Sequence, residues 1–301
     1  MSTAVRVNHV SRRFRGVVAV DDASFTLEAG RIHGLLGRNG AGKTTVMRLI
    51  TGLDRPTSGA IEVFGSDPFE NEVVLSRTCF VKESQSYPDL SVDRVLASAR
   101  LLQPQWDEDF AQALVADFDL PGGRRVRKLS RGMRSALGIV IGLASRAPLT
   151  LFDEPYLGLD APSRALFYDR LITDFAEHPR TVVLSTHLID EVANLLERVV
   201  VVDHGRVVID AEAEDVRGTA YTVVGPAGTV AQFVGRREVV ARQDAGAYSS
   251  ATVRGRLDEP QRRLADELRL DLSPVSLQQL VAHATTGGPD DLPRPTEGAD
   301  R

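Results

Sequence analysis

The sequence is short of several things, and each shortage excludes something. One cysteine, Cys79, stands in 301 residues. That rules out an internal disulfide and suits a reducing compartment. Lysine is confined to three positions, Lys43, Lys82 and Lys128, with arginine used elsewhere. There is no basic excess. The net charge is −5, which leaves no electrostatic footprint for nucleic acid. No apolar run reaches the ~18 residues of a membrane-spanning helix. The longest, Ala136 to Ala144, reads as a buried helix. Met1 to Val7 hold no apolar core of signal-peptide length. Internal repeats and coiled-coil heptads are also missing.

What remains is 43% hydrophobic and 26% charged, enough for one large α/β domain and a small second unit. The chain is organised around Gly37-Arg38-Asn39-Gly40-Ala41-Gly42-Lys43-Thr44, which fits G-x-x-x-x-G-K-[ST]. Arg31 to Leu36 before it reads as a short buried strand. Thr45 to Ile50 after it reads as a helix start. Glycines let backbone N–H groups curl around an anion, and a helix N-terminus adds unpaired N–H groups. Lys43 supplies a compact cation for β- and γ-phosphates, and Thr44 a hydroxyl for Mg²⁺.

Strands are expected at Val5–Val10, Ala23–Glu28, Ala60–Phe64 and Thr78–Val81, with Phe14 about two dozen residues ahead of the glycine loop. Helical spacing covers Val92–Leu102 and Asp107–Phe118, broken by Pro121-Gly122-Gly123. Ser130 is placed to cap a long apolar helix. Leu149 to Pro155 is a buried strand ending in two carboxylates, Asp153 and Glu154. Asp160 caps the next helix, with Pro162 in its first turn. Thr181 to Thr186 is a strand with His187 at its end. Leu188 to Glu197 is read as a helix, and a hairpin turns at His204-Gly205. Beyond Arg217-Gly218 the pattern becomes that of a small β-α-β-β-α module with a last helix, Ser276 to Ala284. Gly287 to Arg301 has the composition of a disordered tail.

Leu129-Ser130-Arg131-Gly132-Met133, Phe152-Asp153-Glu154-Pro155, Leu159-Asp160 and Ser185-Thr186-His187 follow the glycine loop in that order. The constellation resembles the ATP-binding subunit of ABC (ATP-binding cassette) transporters, over roughly residues 3 to 215, and looks most like cassettes of bacterial multidrug or antibiotic export. The resemblance implies an α/β fold, a P-loop ATPase domain with a helical subdomain over about 84–147. The domain boundaries expected are 1–217 for the ATPase, 218–286 for a small α+β domain and 287–301 for the tail.

The resemblance also implies roles. Phe14 stacks on adenine. Gly37, Arg38, Asn39, Gly40, Ala41, Gly42, Lys43, Thr44 and Thr45 cradle the triphosphate of ATP. Thr44 and Asp153 hold Mg²⁺, Glu154 is the general base, and His187 contacts the γ-phosphate. Ser130 and Gly132 reach a second copy's ATP, although Arg131 and Met133 replace the family's Gly and Gln. Glu83 stands where the family has a Gln that links Mg²⁺ to the membrane subunit, with Gln85 two residues on. Tyr87 to Leu90 and the helix after them lie where the family docks its partner. The partners implied are a separate transmembrane permease and a second ATP-binding subunit, homo- or heterodimeric, with no nucleic acid. The location implied is peripheral, on the cytoplasmic face of the membrane. A soluble ABC-type ATPase in translation or DNA maintenance is the alternative. One cassette in the chain and no coiled-coil insertion over 45–129 weigh against it. Intact Lys43, Asp153, Glu154 and His187 weigh against a non-catalytic adaptor.

Overall fold

The computed structural model describes residues 2–82 and 85–285. Glu83 and the expected tail lie outside the described residues. The chain divides into two compact units. Among the described residues, the first comprises those up to 187 and 194–210; the second comprises 188–193 and 211–285. Residues 211–217, which the sequence assigns to the ATPase domain, therefore group with the second unit.

In the first unit, β1 (Thr3–Phe14), β2 (Val17–Glu28) and β4 (Ser58–Val63) form an antiparallel sheet in the order β2-β1-β4. A second sheet has six strands. These are β3 (Ile32–Leu36), β5 (Thr78–Lys82), β6 (Leu149–Asp153), β7 (Thr181–Thr186), β8 (Arg198–Asp203) and β9 (Arg206–Glu212), in the order β5-β6-β7-β3-β8-β9. The first five pair in parallel. Every residue of β3, β6 and β7 is buried, as a parallel sheet covered on both faces requires. β8 turns into β9 through His204 and Gly205, with φ of 46° and 80°, the left-handed pair that a two-residue hairpin needs.

Helix α1 (Lys43–Ile50) buries Val46, Met47, Leu49 and Ile50 in a core shared with Val5, Leu27, Leu35, Ile61, Leu151 and Val200. Helix α2 (Glu72–Leu75) is a single turn before β5. Helices α3 (Val92–Leu102) and α4 (Glu108–Asp117) pack on the apolar α5 (Arg131–Ala144), giving the expected helical subdomain. Ser130 caps α5 by accepting from Met133 N at 3.1 Å, and Asp160 caps α6 (Ala161–Glu177) by accepting from Ser163 N at 3.0 Å.

The second unit opens with α7 (Ile189–Val192) and α8 (Ala213–Arg217). The helix read over 188–197 is thus two short pieces, α7 and a 3₁₀ turn at Ala193–Leu195. There follow β10 (Ala220–Pro226), α9 (Ala227–Val234), β11 (Val239–Ala245), β12 (Tyr248–Arg254), α10 (Glu259–Glu267) and β13 (Asp271–Pro274). The sheet order is β11-β12-β10-β13, all antiparallel, so the module is a complete β-α-β-β-α-β split unit. Its last strand is the piece absent from the sequence reading. Tyr221, Val223, Phe233, Ala251 and Val253 form its core. Helix α11 (Leu277–Ala284) packs on α7 and α8, and Ser276 Oγ donates to Asp190 Oδ2 at 3.2 Å.

Phe233 is fully buried in that core. Phe233→Ala should destabilise the second unit by about 3–5 kcal/mol. Nucleotide binding by the first unit should survive. The check is thermal unfolding alongside nucleotide binding. Concerted loss of both would show that the units fold as one.

Candidate functional site

The site follows from strand register. β7 lies between β6 and β3, and pairing sets Asp153 opposite Ser185 and Leu36 opposite Thr186. Three strand ends therefore finish at one level. From them leave the glycine loop, the Asp153-Glu154 turn and His187. Ligand chemistry in open α/β sheets belongs at such carboxyl ends.

The glycine loop has its shape because only glycine fits. A Cβ on Gly37 would lie 2.2 Å from Val202 O, and one on Gly42 would lie 2.5 Å from Ala19 O. Gly37, Gly40 and Gly42 have φ of 146°, 82° and 110°. Gly42 caps α1, so the loop ends on unpaired helix N–H groups. Lys43 is 6% exposed. Its Nζ donates to Gly37 O at 2.8 Å and Arg38 O at 3.2 Å, and lies 3.5 Å from Glu154 Oε1. The ammonium is stowed against its own loop.

Thr44 Oγ1 donates to Asp153 Oδ2 at 2.6 Å. Asp153 Oδ1 is buried with no hydrogen-bond partner. An unpaired buried carboxylate oxygen is costly, and hydroxyl plus carboxylate oxygens are the donors Mg²⁺ takes. The residues present fit that ion. Among the described residues no group of three or more His, Cys, Asp or Glu gathers to hold a metal. A Mg²⁺ here would complete its shell with phosphate and water oxygens.

Glu154 sits just past β6 at φ 50°, a left-handed conformation that costs a non-glycine residue about 1–3 kcal/mol. Its N–H donates to Ser185 O at 3.2 Å, which ties the turn to β7. His187 Nδ1 is 2.7 Å from Glu154 Oε2. Tyr156 reaches the same carboxyl, a contact that the motifs did not signal. A buried aromatic two residues after a strand-end carboxylate was the available sign.

Lys43, Thr44, Asp153, Glu154 and His187 are thus brought together. Other expected residues lie apart. Phe14 ends β1, is 39% exposed, and has the Arg12 guanidinium 4.3 Å from its ring centroid. No hydrogen bond or ion pair among the described residues joins Ser130 or Gly132 to the group around Lys43. A Cβ on Gly132 would lie 2.6 Å from Gly158 O, so that glycine also serves local packing. Arg124, Arg125, Arg127, Lys128, Arg131 and Arg134 form a local basic cluster that is partly neutralised, because Arg125 and Arg127 both pair with Asp89, at 3.1 and 3.4 Å. A groove of about 500 Å³ is lined by Gln85, Tyr87, Asp89, Arg127, Arg131 and Arg134.

Strand, glycine loop, helix N-terminus and paired carboxylates define a P-loop nucleoside-triphosphatase. A family model described as ABC transporter matches residues 20–157. The doxorubicin resistance ATP-binding protein DrrA of Mycobacterium tuberculosis (strain ATCC 25618 / H37Rv) is 32% identical over 230 residues, 72% of this chain and 68% of that protein. The bacitracin transport ATP-binding protein BcrA of Bacillus licheniformis is 32% identical over 211 residues, 68% of this chain and 69% of that protein. A solved ATP-binding subunit of an ABC transporter is 26% identical, covers 71% of this chain and 92% of its own, and superposes with a TM-score of 0.65. The chain belongs to the ABC transporter ATP-binding proteins. It is an ATPase whose hydrolysis powers a membrane transporter.

Lys43→Ala should abolish ATP turnover or lower it by about 10²-fold or more, since it removes the cation from the phosphate cradle. Steady-state turnover and a nucleotide-binding titration check this. Unchanged affinity and turnover together would show that the loop is not the site.

Proposed function

We propose that this chain is the ATPase subunit of a bacterial export system for antibiotic-type compounds. Two copies, or this chain and a related one, clasp two ATP molecules at the cytoplasmic face of the membrane and drive a separate transmembrane permease. The observation that carries the reading is the convergence of Lys43, Thr44, Asp153, Glu154 and His187 at three adjacent strand ends. DrrA and BcrA, whose names refer to doxorubicin resistance and bacitracin transport, support the export assignment. Among the described residues no helix is long and apolar enough to cross a membrane, which suits a peripheral subunit.

The residues divide the work as follows. N–H groups over Gly37–Thr45 hold the phosphates, with Arg38, Asn39 and Ala41 shaping the loop. Lys43 leaves Gly37 O and Arg38 O for the β- and γ-phosphates, and Phe14 faces adenine. Thr44 and Asp153 would hold Mg²⁺, which when bound would supply positive charge against the phosphate oxygens. Once Lys43 moves, Glu154 Oε1 is released and takes a proton from the attacking water. Oε2 stays bonded to His187 Nδ1. His187 contacts the γ-phosphate, and Ser130 and Gly132 of the second copy close its far side. The groove at Tyr87 and Arg127 receives the permease.

Glu154→Gln should keep ATP binding, trap the closed dimer and lose about 10²-fold or more in turnover. Light scattering with MgATP and a turnover assay test it. Wild-type turnover would remove Glu154 from the role of base. The isolated protein should also be a weak ATPase whose rate per subunit rises with protein concentration. Salt should weaken the dimer, because Lys43 and the cluster around Arg131 offset triphosphate charge at the interface. A rate per subunit that stays flat down to demonstrably monomeric dilutions would rule out the shared site.

A further inference from the structure

Tyr156 has no part in the roles above, yet it sits at their centre. It is 2% exposed. Its hydroxyl donates to Glu154 Oε2. It accepts from Thr186 Oγ1 at 2.9 Å and from the backbone N of His187 at 3.1 Å. A phenol has one proton and two lone pairs, so these three bonds exhaust it. His187 Nδ1 is 3.1 Å from the same hydroxyl and 2.7 Å from Glu154 Oε2. With the phenol's lone pairs taken, the imidazole N–H on Nδ1 belongs to Glu154. That bond places the ring proton on Nδ1 and leaves Nε2 for a ligand.

The phenol adds a second side-chain link between two elements that already meet through the Glu154–His187 contact. Glu154 stands on the left-handed turn after β6, and Thr186 and His187 end β7. Tyr156 spans them, with its ring centroid 5.7 Å from that of His187. Burial, and then the bond to Glu154, push the phenol's pKa up, so the hydroxyl remains a donor.

We infer that Tyr156 is a positioning residue for ATP hydrolysis, its hydroxyl locking the Glu154 carboxyl and the His187 ring into one hydrogen-bonded unit with His187 in its Nδ1–H form. The inference rests on the roles proposed above for Glu154 and His187. Glu154 Oε2 then serves as the anchored oxygen and Oε1 as the working one. A base held in this way needs no reorganisation when water arrives, which is where positioning acts on rate.

The test is Tyr156→Phe, which keeps the ring and removes only the hydroxyl. Turnover at saturating ATP should fall about tenfold with KM for ATP held within about twofold, the pattern of an interaction used in the transition state rather than in binding. In a His187→Ala background the same substitution should cost less than about threefold, because coupled residues are not additive. A second readout uses the nucleotide-free chain. Nitrogen NMR of the His187 imidazole should show the Nδ1–H form in the wild type and a mixture of forms in Tyr156→Phe. A dominant Nε2–H form in the wild type would overturn the arrangement without any variant. Wild-type turnover in Tyr156→Phe, or an equal loss with and without His187, would also overturn it. Glu154→Gln run in parallel separates the two readings. If that variant is inactive while Tyr156→Phe is fully active, only the positioning role falls. If Glu154→Gln is itself active, the site reading falls first.

Discussion

Everything at this site depends on the pairing register of three parallel strands. Leu36 opposite Thr186 and Asp153 opposite Ser185 bring the ends of β3, β6 and β7 level. A slip of one residue in β6 would turn Asp153 to the other face of the sheet and carry Glu154 away from His187. Burial of every residue in these strands resists such a slip. The polar groups at the strand ends do not themselves fix the register. The apolar residues beneath them do, through a core that runs from Leu27 and Ile61 to Leu151 and Val200.

The arrangement of these polar side chains resolves an electrostatic problem with what is at hand. Two buried carboxylates and an ammonium face each other where a triphosphate would lie. Lys43 is satisfied by Gly37 O and Arg38 O, and Asp153 by the Thr44 hydroxyl. Asp153 Oδ1 and Glu154 Oε1 are left without hydrogen-bond partners. Those two oxygens are where incoming chemistry gains most, since nothing must be broken to engage them except the 3.5 Å approach of Lys43 to Glu154.

Much of this was legible in the residues. Gly37 to Thr44, the carboxylates closing Leu149 to Asp153, and the caps at Ser130 and Asp160 are local signals, and local signals survive folding. Helix α3 falls on the residues its periodicity marks. What escaped was non-local or short. Tyr156 gains its meaning from Thr186 and His187, some thirty positions on, which no spacing rule encodes. β13 is only four residues long and ends in proline, so its strand character comes from pairing with β10. The helix read over 188–197 changes to a 3₁₀ turn after Val192, and α7 packs on α11, far along the chain.

The second unit is not a tail added to a finished cassette. The backbone crosses between the units after His187, after Ala193 and after Asp210. Asp190, three positions beyond His187, is bonded to Ser276 and to the N–H of Gln278. Modules acquired by simple fusion are joined by one crossing and can be exchanged by recombination at that point. This one has three, and one of its segments begins at the residue following His187. A chimera that swapped residues 211–285 alone would leave 188–193 without the surface they were selected to fit. The segments that would have to move together are 188–193 and 211–285.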